Sequence, residues 1–239
     1  MQNAHERENS YVMRQITRIN ARGRQVVDDL VLKEETYSVF CNEKKIADLH
    51  CLPFFLEQLA VGYLFCRSHL QTRDDITQVG IDKASRTVRV DLESSPAAKQ
   101  WNGEGEICLA RVDIHRLQEN FNDRCELFRK TGAAHSCALA DSNGILVFME
   151  DIARHNALDK VIGEMILSGI SPAGKALIFS GRLAFDMLEK TTRSGVKLLI
   201  APGAPSLAAV EQAEQNQLTL LGFVRRDNMN IYTHPHRVT

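Results

Sequence analysis

Hydrophobic and polar positions alternate in long blocks through the second half of the chain. From Gly144 onward, short apolar runs typical of buried strands are each followed by a stretch with apolar residues at helical spacing. Strands that alternate with helices indicate parallel pairing and right-handed crossovers, so this half predicts an α/β fold. The predicted strands are Ile145–Met149, Lys175–Phe179, Val196–Ile200 and Leu218–Val224, and the predicted helices are Arg154–Leu167, Leu183–Thr191 and Ser206–Gln215.

The first half of the chain is richer in strand patterns. A hairpin, two further strands and two helices are predicted from apolar alternation and helical spacing. We divide the chain into a polar, solvated arm (residues 1–24), an α+β subdomain (25–107) that ends in a mobile loop at Glu93–Glu106, and an α/β core (108–239). The strands are Thr36–Cys41, Lys45–Cys51, Ile76–Ile81 and Thr87–Leu92, one helix begins near Pro53, and the other runs from Ile114 to Phe128.

Composition excludes several classes of protein. The 239 residues carry a net charge of −1, which gives no overall field for nucleic acid or anionic lipid. No apolar run approaches the roughly 18 residues of a membrane span, and the N-terminus lacks the apolar segment of a signal peptide. We therefore expect a cytoplasmic protein. Its six cysteines form no Cys-x-x-Cys pair, and in a reducing compartment most should be buried thiols.

Polar and small residues occupy the loops that follow the predicted parallel strands. Such loops meet at one edge of the sheet, where ligands bind, and three of them open into helices, whose N-termini favour anions. We therefore expect an anionic ligand that carries phosphates, with ordinary loop and cap chemistry as the alternative. The loops are Glu150–Asn156, Ser180-Gly181-Arg182, Ala201–Ser206 and Arg225–Asn228, and they contain Arg154, Arg182, Arg225 and Arg226.

Ionisable groups are concentrated between Thr131 and Gly163. A short helical segment is predicted to carry His135 and Cys137. His155 and Asp159 are spaced to share a helix face, where the carboxylate can orient the imidazole and raise its pKa. A structural His–Asp bond is the alternative. His135, Cys137 and His155 can also be read as zinc ligands, but they lack the tight spacing of structural zinc sites, and we expect no metal.

Cys108 differs from the other cysteines because it follows a loose loop instead of lying in a strand or helix pattern. A sulfur nucleophile must be exposed and partly ionised. Arg111 would favour ionisation of this thiol, whereas Glu104 and Glu106 would oppose it. Cys108 is therefore a candidate nucleophile within reach of the arginine-bearing loops, with an inert, half-buried thiol as the alternative.

The stretch Glu150–Lys160 resembles the signature of the FdhD/NarQ family, the formate dehydrogenase accessory proteins. It reads Glu-Asp-Ile-Ala-Arg-His-Asn-Ala-Leu-Asp-Lys and departs from the family pattern only at Ala153. Thr131–His135 resembles the family's Thr-Gly-Gly-x-His, with Ala133 in place of a glycine. Further matches are Ser180-Gly181-Arg182, Ala204-Pro205-Ser206, Gly222-Phe223-x-Arg225 and Asn230-Ile231-Tyr232-Thr233.

The resemblance implies a fold and a function. The fold would be a cytidine-deaminase-like three-layer α/β/α core with a mostly parallel sheet, without the deaminase zinc, plus a smaller N-terminal α+β part. The protein would be a sulfurtransferase that passes persulfide sulfur from a cysteine desulfurase to the molybdenum cofactor, bis(molybdopterin guanine dinucleotide), of formate dehydrogenase. Cys108 would be the catalytic residue, and we expect a homodimer because such cores often pair. The candidate cofactor-binding residues are Phe223, Val224, Arg225, Arg226, Asp227 and Asn228 by resemblance, together with Ser180, Gly181, Arg182, His135, Arg154 and His155.

One departure from the family pattern leaves the function open. The family carries Cys-Gly-x-Cys-Gly before the Thr-Gly-Gly motif, whereas here Cys108 is the only cysteine in that region. Either Arg111 replaces the second cysteine or Gly105 replaces the first. One thiolate suffices to accept sulfur, but a second cysteine that could relay it would be missing. The hypotheses are a sulfur carrier, a cofactor-binding chaperone without sulfur transfer and, ranked last, a zinc-dependent deaminase or hydrolase.

Overall fold

A hairpin of alternating polar and apolar residues begins the described part of the chain. Strands β1 (Tyr11–Asn20) and β2 (Gly23–Leu32) pair antiparallel along their whole length. The sequence predicted an arm without secondary structure, because the many basic and polar residues hide the alternation of a strand. Most of these side chains are exposed, as expected. The structure, a computed structural model, describes residues 10–93, 105–226 and 228–239, so most of the loop Glu93–Glu106 lies outside it.

A four-stranded sheet and one helix complete the N-terminal part. The strands are β3 (Glu35–Cys41), β4 (Lys44–Cys51), β5 (Ile76–Asp82) and β6 (Thr87–Leu92), and they lie in the order β4-β3-β6-β5. The predicted hairpin is confirmed, and β6 adds to it parallel to β3. The buried face of this sheet packs on helix α1 (Leu56–Cys66), which begins after Phe55 and not at Pro53.

The C-terminal part is built on a six-stranded sheet with a buried centre. Its strands are β7 (His135–Asp141), β8 (Gly144–Asp151), β9 (Ala176–Phe179), β10 (Leu198–Ile200), β11 (Thr219–Arg225) and β12 (Asn228–Thr233), in the order β12-β11-β10-β9-β7-β8. Strands β9, β10 and β11 are parallel, whereas β12 is antiparallel to β11 and β7 is antiparallel to both of its neighbours. The sheet is therefore mixed, and the prediction of a mostly parallel sheet was wrong.

Two misread segments explain this difference. His135 and Cys137 lie in strand β7 and not in a helix, because the turn Asp141–Gly144 folds β7 and β8 into a hairpin. Strand β12 was not predicted because it lies at the edge of the sheet. Its half-exposed sequence, which includes Asn228 and Asn230, has no apolar run.

Helices cover both faces of the six-stranded sheet. Helix α2 (Arg111–Arg124) lies on one side, and α4 (Arg154–Leu167), α5 (Phe185–Arg193) and α6 (Leu207–Gln215) lie on the other. The short helix α3 (Glu126–Thr131) follows α2 and packs through Leu127 on residues of the N-terminal part and on Ala134. Successive residues of one strand serve opposite faces, so that Leu177 packs with α4 to α6 and Ile178 packs with α2. The layers agree with the expected α/β/α core, while the likeness to cytidine deaminase stays a prediction. Among the described residues, none of the helices combines the length and apolar character that a membrane crossing requires.

The single helix predicted from Ile114 to Phe128 is broken at Cys125. This residue has φ −73° and ψ 64°, so α2 ends before it and α3 begins after it. The break lets Leu127 turn inward, where its N–H donates to Glu150 Oε1 at 3.1 Å. Phe128 was expected on the buried stripe and is instead 54% exposed.

Two glycines let α1 and α4 pack backbone against backbone. A Cβ atom on Gly163 would lie 1.9 Å from the carbonyl oxygen of Gln58, and one on Gly62 would lie 1.9 Å from that of Asp159. Side chains at these positions would force the helices apart. The glycines therefore set how closely the N-terminal part approaches the core.

Substitution of Gly163 tests this contact. Gly163→Ala should lower the free energy of unfolding by about 1–3 kcal/mol, because overpacking displaces the backbone of α1. Urea unfolding measures the change. Gly80→Ala is the matched control, because its Cβ would meet nothing within 4 Å. Equal unfolding midpoints for the two variants would contradict the close approach of the helices.

Candidate functional site

The four predicted loops, three of which carry arginines, lie along one edge of the six-stranded sheet. Because β7 is antiparallel to both β8 and β9, strands β8, β9, β10 and β11 all run in the same direction. Their carboxyl ends meet at one edge, together with the start of β7, where His135 pairs with Asp151. We call this edge the rim. The mixed sheet therefore still gathers the loops as the sequence predicted.

Short backbone contacts tie the rim loops to one another. The N–H of Phe223 donates to the carbonyl oxygen of Gly203 at 3.2 Å, and Arg225 Nε donates to that of Pro202 at 3.2 Å. A Cβ atom on Gly203 would lie 2.5 Å from the carbonyl oxygen of Gly181, so only glycine fits there. The loops after β9, β10 and β11 thus form one packed surface.

A cavity of 500 Å³ opens between these loops, and we call it the arginine cavity. His135 lines it from the start of β7, Arg154 from the start of α4, and Arg182 from the loop after β9. Arg154 Nε is buried and has no hydrogen-bond partner among the described residues. Ser206 also lines the cavity and caps α6 by accepting a hydrogen bond from Ala209 N at 3.2 Å. Two guanidinium groups beside an imidazole and a helix N-terminus suit a phosphate-bearing anion.

Electrostatics at the rim keep its imidazoles neutral. Burial and the positive charge of Arg154 lower the pKa of His135. His155 Nε2 lies 3.1 Å from Asp186 Oδ2, but burial outweighs this carboxylate and lowers the pKa of His155 as well. Asp186 Oδ2 also lies 3.6 Å from the Arg154 guanidinium and so orients it. Asp186 was not predicted as a site residue. Its position in the first turn of α5, shortly after the Ser180-Gly181-Arg182 loop, could have indicated that it lies at the rim.

The predicted bond between His155 and Asp159 is not formed. Asp159 is buried, and its Oδ2 accepts a hydrogen bond from Lys190 Nζ at 2.5 Å, while His155 turns to Asp186. The Asp159 charge still favours the imidazolium, but burial outweighs it, so the expected rise in the pKa of His155 is not found. His155 and Asp159 instead line a cavity of 890 Å³ between α1, α4 and α5, distinct from the arginine cavity.

Most polar residues of the motif Glu150–Lys160 have a structural role. Asp151 and Lys160 are fully buried and form an ion pair of 2.7 Å. Asp151 Oδ2 accepts a hydrogen bond from the N–H of Leu52 at 3.2 Å, and its Oδ1 accepts one from Asn156 Nδ2 at 2.9 Å. Leu52 joins β4 to α1, so this pair holds the N-terminal part against the core. Arg154 and His155 are partly exposed, unlike the other ionisable side chains of the motif, which are buried.

The alternative zinc site is not assembled in this fold. Cys137 is fully buried inside β7, and burial raises the pKa of its thiol far above the ordinary value, which disfavours the thiolate that zinc requires. His135 and His155 line different cavities. Within residues 10–93, 105–226 and 228–239, no three His, Cys, Asp or Glu side chains come together as metal ligands.

The turn between β11 and β12 borders the rim. Phe223 is 42% exposed and has φ 52°, and Arg226 has φ 47°, so the turn is irregular on its exposed side. Val224 is buried beneath it, and Asn228 begins β12. Asp227 lies outside the described residues. The turn therefore places Arg225 at the rim against Pro202, but neither Arg225 nor Arg226 lines the arginine cavity, and their role in binding stays a prediction.

Cys108 lies near the amino ends of the parallel strands, at the end of the sheet opposite the rim. It is exposed, and the next residue, Leu109, forms a parallel bridge with Val238. Arg237 anchors this segment by donating to Thr219 Oγ1 at the amino end of β11. The expectation that Cys108 lies within reach of the rim was therefore wrong. The local sequence could not reveal this, because residues more than a hundred positions away hold the thiol there.

The rim and its cavity define an α/β protein that gathers cationic side chains at the carboxyl ends of its strands. The comparisons name the family. The chain belongs to the FdhD/NarQ family, whose model matches residues 32–106 and 97–239.

Relatives match over almost the whole chain. Proteins named Sulfur carrier protein FdhD share 31% identity with it in Bacillus pumilus, over 88% of this chain and 91% of the relative, and 30% in Bacillus subtilis, over 89% and 91%. The protein of that name in Shouchella clausii is 28% identical over 97% of this chain and 98% of its own. A crystal structure described as a formate dehydrogenase accessory protein from Desulfotalea psychrophila matches with a TM-score of 0.87 at 26% identity, covering 96% of this chain and 99% of that one.

Loss of the buried cation should destabilise the fold strongly. Lys160→Met should lower the free energy of unfolding by about 3–5 kcal/mol, because it leaves the Asp151 carboxylate buried without a counter-charge. Lys45→Met is the control, because it removes an exposed pair with Asp48 at 2.8 Å and should cost about 1 kcal/mol or less. Urea unfolding of both variants checks the difference, and similar losses would contradict the structural role of Lys160.

Anion binding in the arginine cavity should take up a proton. The pKa of His135 is lowered in the free protein, and a bound anion favours the imidazolium, so affinity should rise as pH falls and level off below the free pKa. Sulfate is a suitable probe because its charge does not change between about pH 8 and pH 5, the range in which histidine titrates. His135→Gln should remove the pH dependence, and exposed His69→Gln should retain it. Calorimetry at several pH values measures this, and a pH-independent sulfate affinity would contradict it.

Proposed function

We propose that the protein carries sulfur from a cysteine desulfurase to the molybdenum cofactor of formate dehydrogenase, bis(molybdopterin guanine dinucleotide). The observation that carries the proposal is the exposure of Cys108, the one exposed thiol among the six cysteines. Membership of a family whose relatives are named sulfur carriers supports it. The matched crystal structure from Desulfotalea psychrophila is described as a formate dehydrogenase accessory protein, which supports formate dehydrogenase as the client.

The other cysteines are poor candidates for the carrier. Burial raises the pKa of each of them, to about 12 for Cys51 and well above the ordinary value for Cys66. A thiol that stays protonated does not attack a persulfide. Two of the remaining thiols, Cys125 and Cys137, are buried, and Cys41 is partly buried with a raised pKa. Cys108 is therefore the residue to which we assign sulfur transfer.

Transfer to Cys108 is a thiol exchange. The Cys108 thiolate attacks the outer sulfur of the desulfurase persulfide, a new S–S bond forms, and the old one breaks with its electron pair on the desulfurase sulfur. The desulfurase leaves as a thiolate, and Cys108 holds the persulfide. Release of that sulfur to the cofactor as sulfide needs two electrons, which we assign to a dithiol reductant that is oxidised to a disulfide.

The arginine cavity is assigned to the phosphates of the cofactor. Arg154 and Arg182 face it with His135, and the Ser206 cap at the start of α6 completes an anion-favouring lining. The turn between β11 and β12, where Phe223, Arg225 and Arg226 are exposed, would border the remainder of the cofactor. The cofactor is the client of the protein and enters this account as cargo.

The separation of Cys108 from the rim constrains how transfer takes place. Cys108 lies at the other end of the sheet from a cofactor bound at the rim of the same chain. Its sulfur would therefore pass to a cofactor that is bound by a second chain. A homodimer in which the Cys108 edge of one copy faces the rim of the other would meet this requirement. A heterologous complex with the client enzyme would also meet it.

The same separation favours a second function, a chaperone that holds the cofactor and transfers no sulfur. In that case the rim would bind the cofactor, and Cys108 would be dispensable. The absence of a second cysteine near Cys108 in the sequence also favours this alternative.

Mass spectrometry of the persulfide separates the two functions. After incubation with a cysteine desulfurase and cysteine, the wild-type protein should gain 32 Da, about one sulfur atom, on the peptide that contains Cys108, because exposed thiolates accept sulfane sulfur. Cys108→Ala should gain none and should lose accessory activity toward formate dehydrogenase. Cys41→Ala is the control and should behave as the wild type does. Full accessory activity of Cys108→Ala would leave the chaperone as the function.

A further inference from the structure

The hairpin of β1 and β2 forms a separate two-stranded sheet that is anchored at its base. There Leu32 is buried in a cluster with Leu127 of α3, and Lys130 lies over the ring of Tyr11 at 5.6 Å. Beyond this base most side chains of the two strands are exposed. A two-stranded hairpin on its own is marginally stable at best in water, so we expect a partner to cover it.

One face of the hairpin carries three exposed apolar side chains. Residues opposite each other in an antiparallel pair share a face, and successive residues of a strand alternate between faces, so Met13, Ile19 and Val26 lie together. These side chains are 62%, 69% and 64% exposed. Tyr11 and Leu32 belong to the same side of the ribbon. The exposed apolar stripe therefore continues the surface that packs on the rest of the chain, and we call it the hairpin face.

The charges on the hairpin face complement one another across a two-fold axis. Arg24, Val26 and Asp28 follow one another on this face of β2, with the arginine nearer the tip and the carboxylate nearer the base. Asp29, on the opposite face, is paired with Arg18 at 3.7 Å, whereas neither Arg24 nor Asp28 forms an ion pair with another described residue. A second copy, turned about an axis through Val26, brings its Asp28 to Arg24 and its Arg24 to Asp28. A two-fold contact requires a surface that complements itself in this way.

We propose that two copies of the chain pair through their hairpin faces, antiparallel to each other about a two-fold axis. The contact withdraws Met13, Ile19 and Val26 from water and joins Arg24 of each copy to Asp28 of the other. Sheets that pack face to face keep their strands within about 30° of one another, which allows this alignment. None of the residues that line the arginine cavity belongs to the hairpin, so this inference goes beyond the proposed function and does not depend on it.

An anionic membrane surface is the other partner that an apolar and basic ribbon could fit. Residues 10–27 contain four arginines and no acidic residue. However, Asp28 lies on the hairpin face itself, where anionic headgroups would repel its carboxylate. A second copy instead supplies Arg24 to that carboxylate. The order of charges therefore favours a second copy over a membrane.

Reversal of the two charges tests the contact. Analytical ultracentrifugation of the full chain should show the wild-type protein at twice the mass of one chain. Arg24→Glu and Asp28→Arg should each raise the dissociation constant of the dimer by about tenfold, because both ion pairs become repulsive. The double variant should dimerise as the wild type does, because it exchanges the two charges and keeps them complementary. An equimolar mixture of the two single variants should form a heterodimer for the same reason.

A charge reversal elsewhere is the control for these variants. Lys44→Glu changes an exposed residue of β4 and should leave the dissociation constant unchanged. A monomeric wild-type protein, single variants that dimerise as the wild type does, or a mixture that stays monomeric would each overturn the inference. Binding of a monomeric wild-type protein to phosphatidylglycerol vesicles, lost in Arg24→Glu, would assign the hairpin face to a membrane instead. The proposed function is tested separately, because a monomer can still accept sulfur on Cys108.

Discussion

The buried pair of Asp151 and Lys160 is the interaction on which the arrangement of the two parts depends. Both side chains are withdrawn from water, and each is satisfied by groups from both sides of the junction. The carboxylate holds Leu52 at the end of the N-terminal sheet and Asn156 in the first turn of α4. Removing charges from water is expensive, so the pair stabilises the fold only in this geometry. It thereby fixes the point at which α4 leaves the sheet.

This constraint explains why one short motif serves both structure and binding. Asp151, Asn156 and Lys160 point inward and set the start of α4, and Arg154 in the same turn is left facing the arginine cavity. The buried pair therefore determines the position of the Arg154 guanidinium. Asp186 on α5 then completes its orientation. A change at the junction would consequently be felt at the rim, although no junction residue lines the arginine cavity.

Short-range patterns predicted the elements well and their pairing less well. The alternation of strands and helices after Gly144 located α4, α5, α6 and their strands, because buried strands and amphipathic helices have distinct periods. The same pattern could not show that β7 and β12 run against the others, since direction is decided by the Asp141–Gly144 turn and by an edge strand without an apolar run. The arginines of the rim were found because all strands that carry them share one direction. The position of Cys108 was not predicted, because it depends on the bridge between the next residue, Leu109, and the distant Val238.

The placement of Cys108 and the arginine cavity at opposite edges of one sheet has a consequence for assembly. A protein docked over Cys108 does not cover the rim, and a large anion seated at the rim does not shield the thiol. Under the proposed function, loading with sulfur and loading with cargo would therefore be independent events on a single chain. Donor and cargo can then occupy one chain together, and the donor leaves Cys108 before that thiol faces the rim of a second copy.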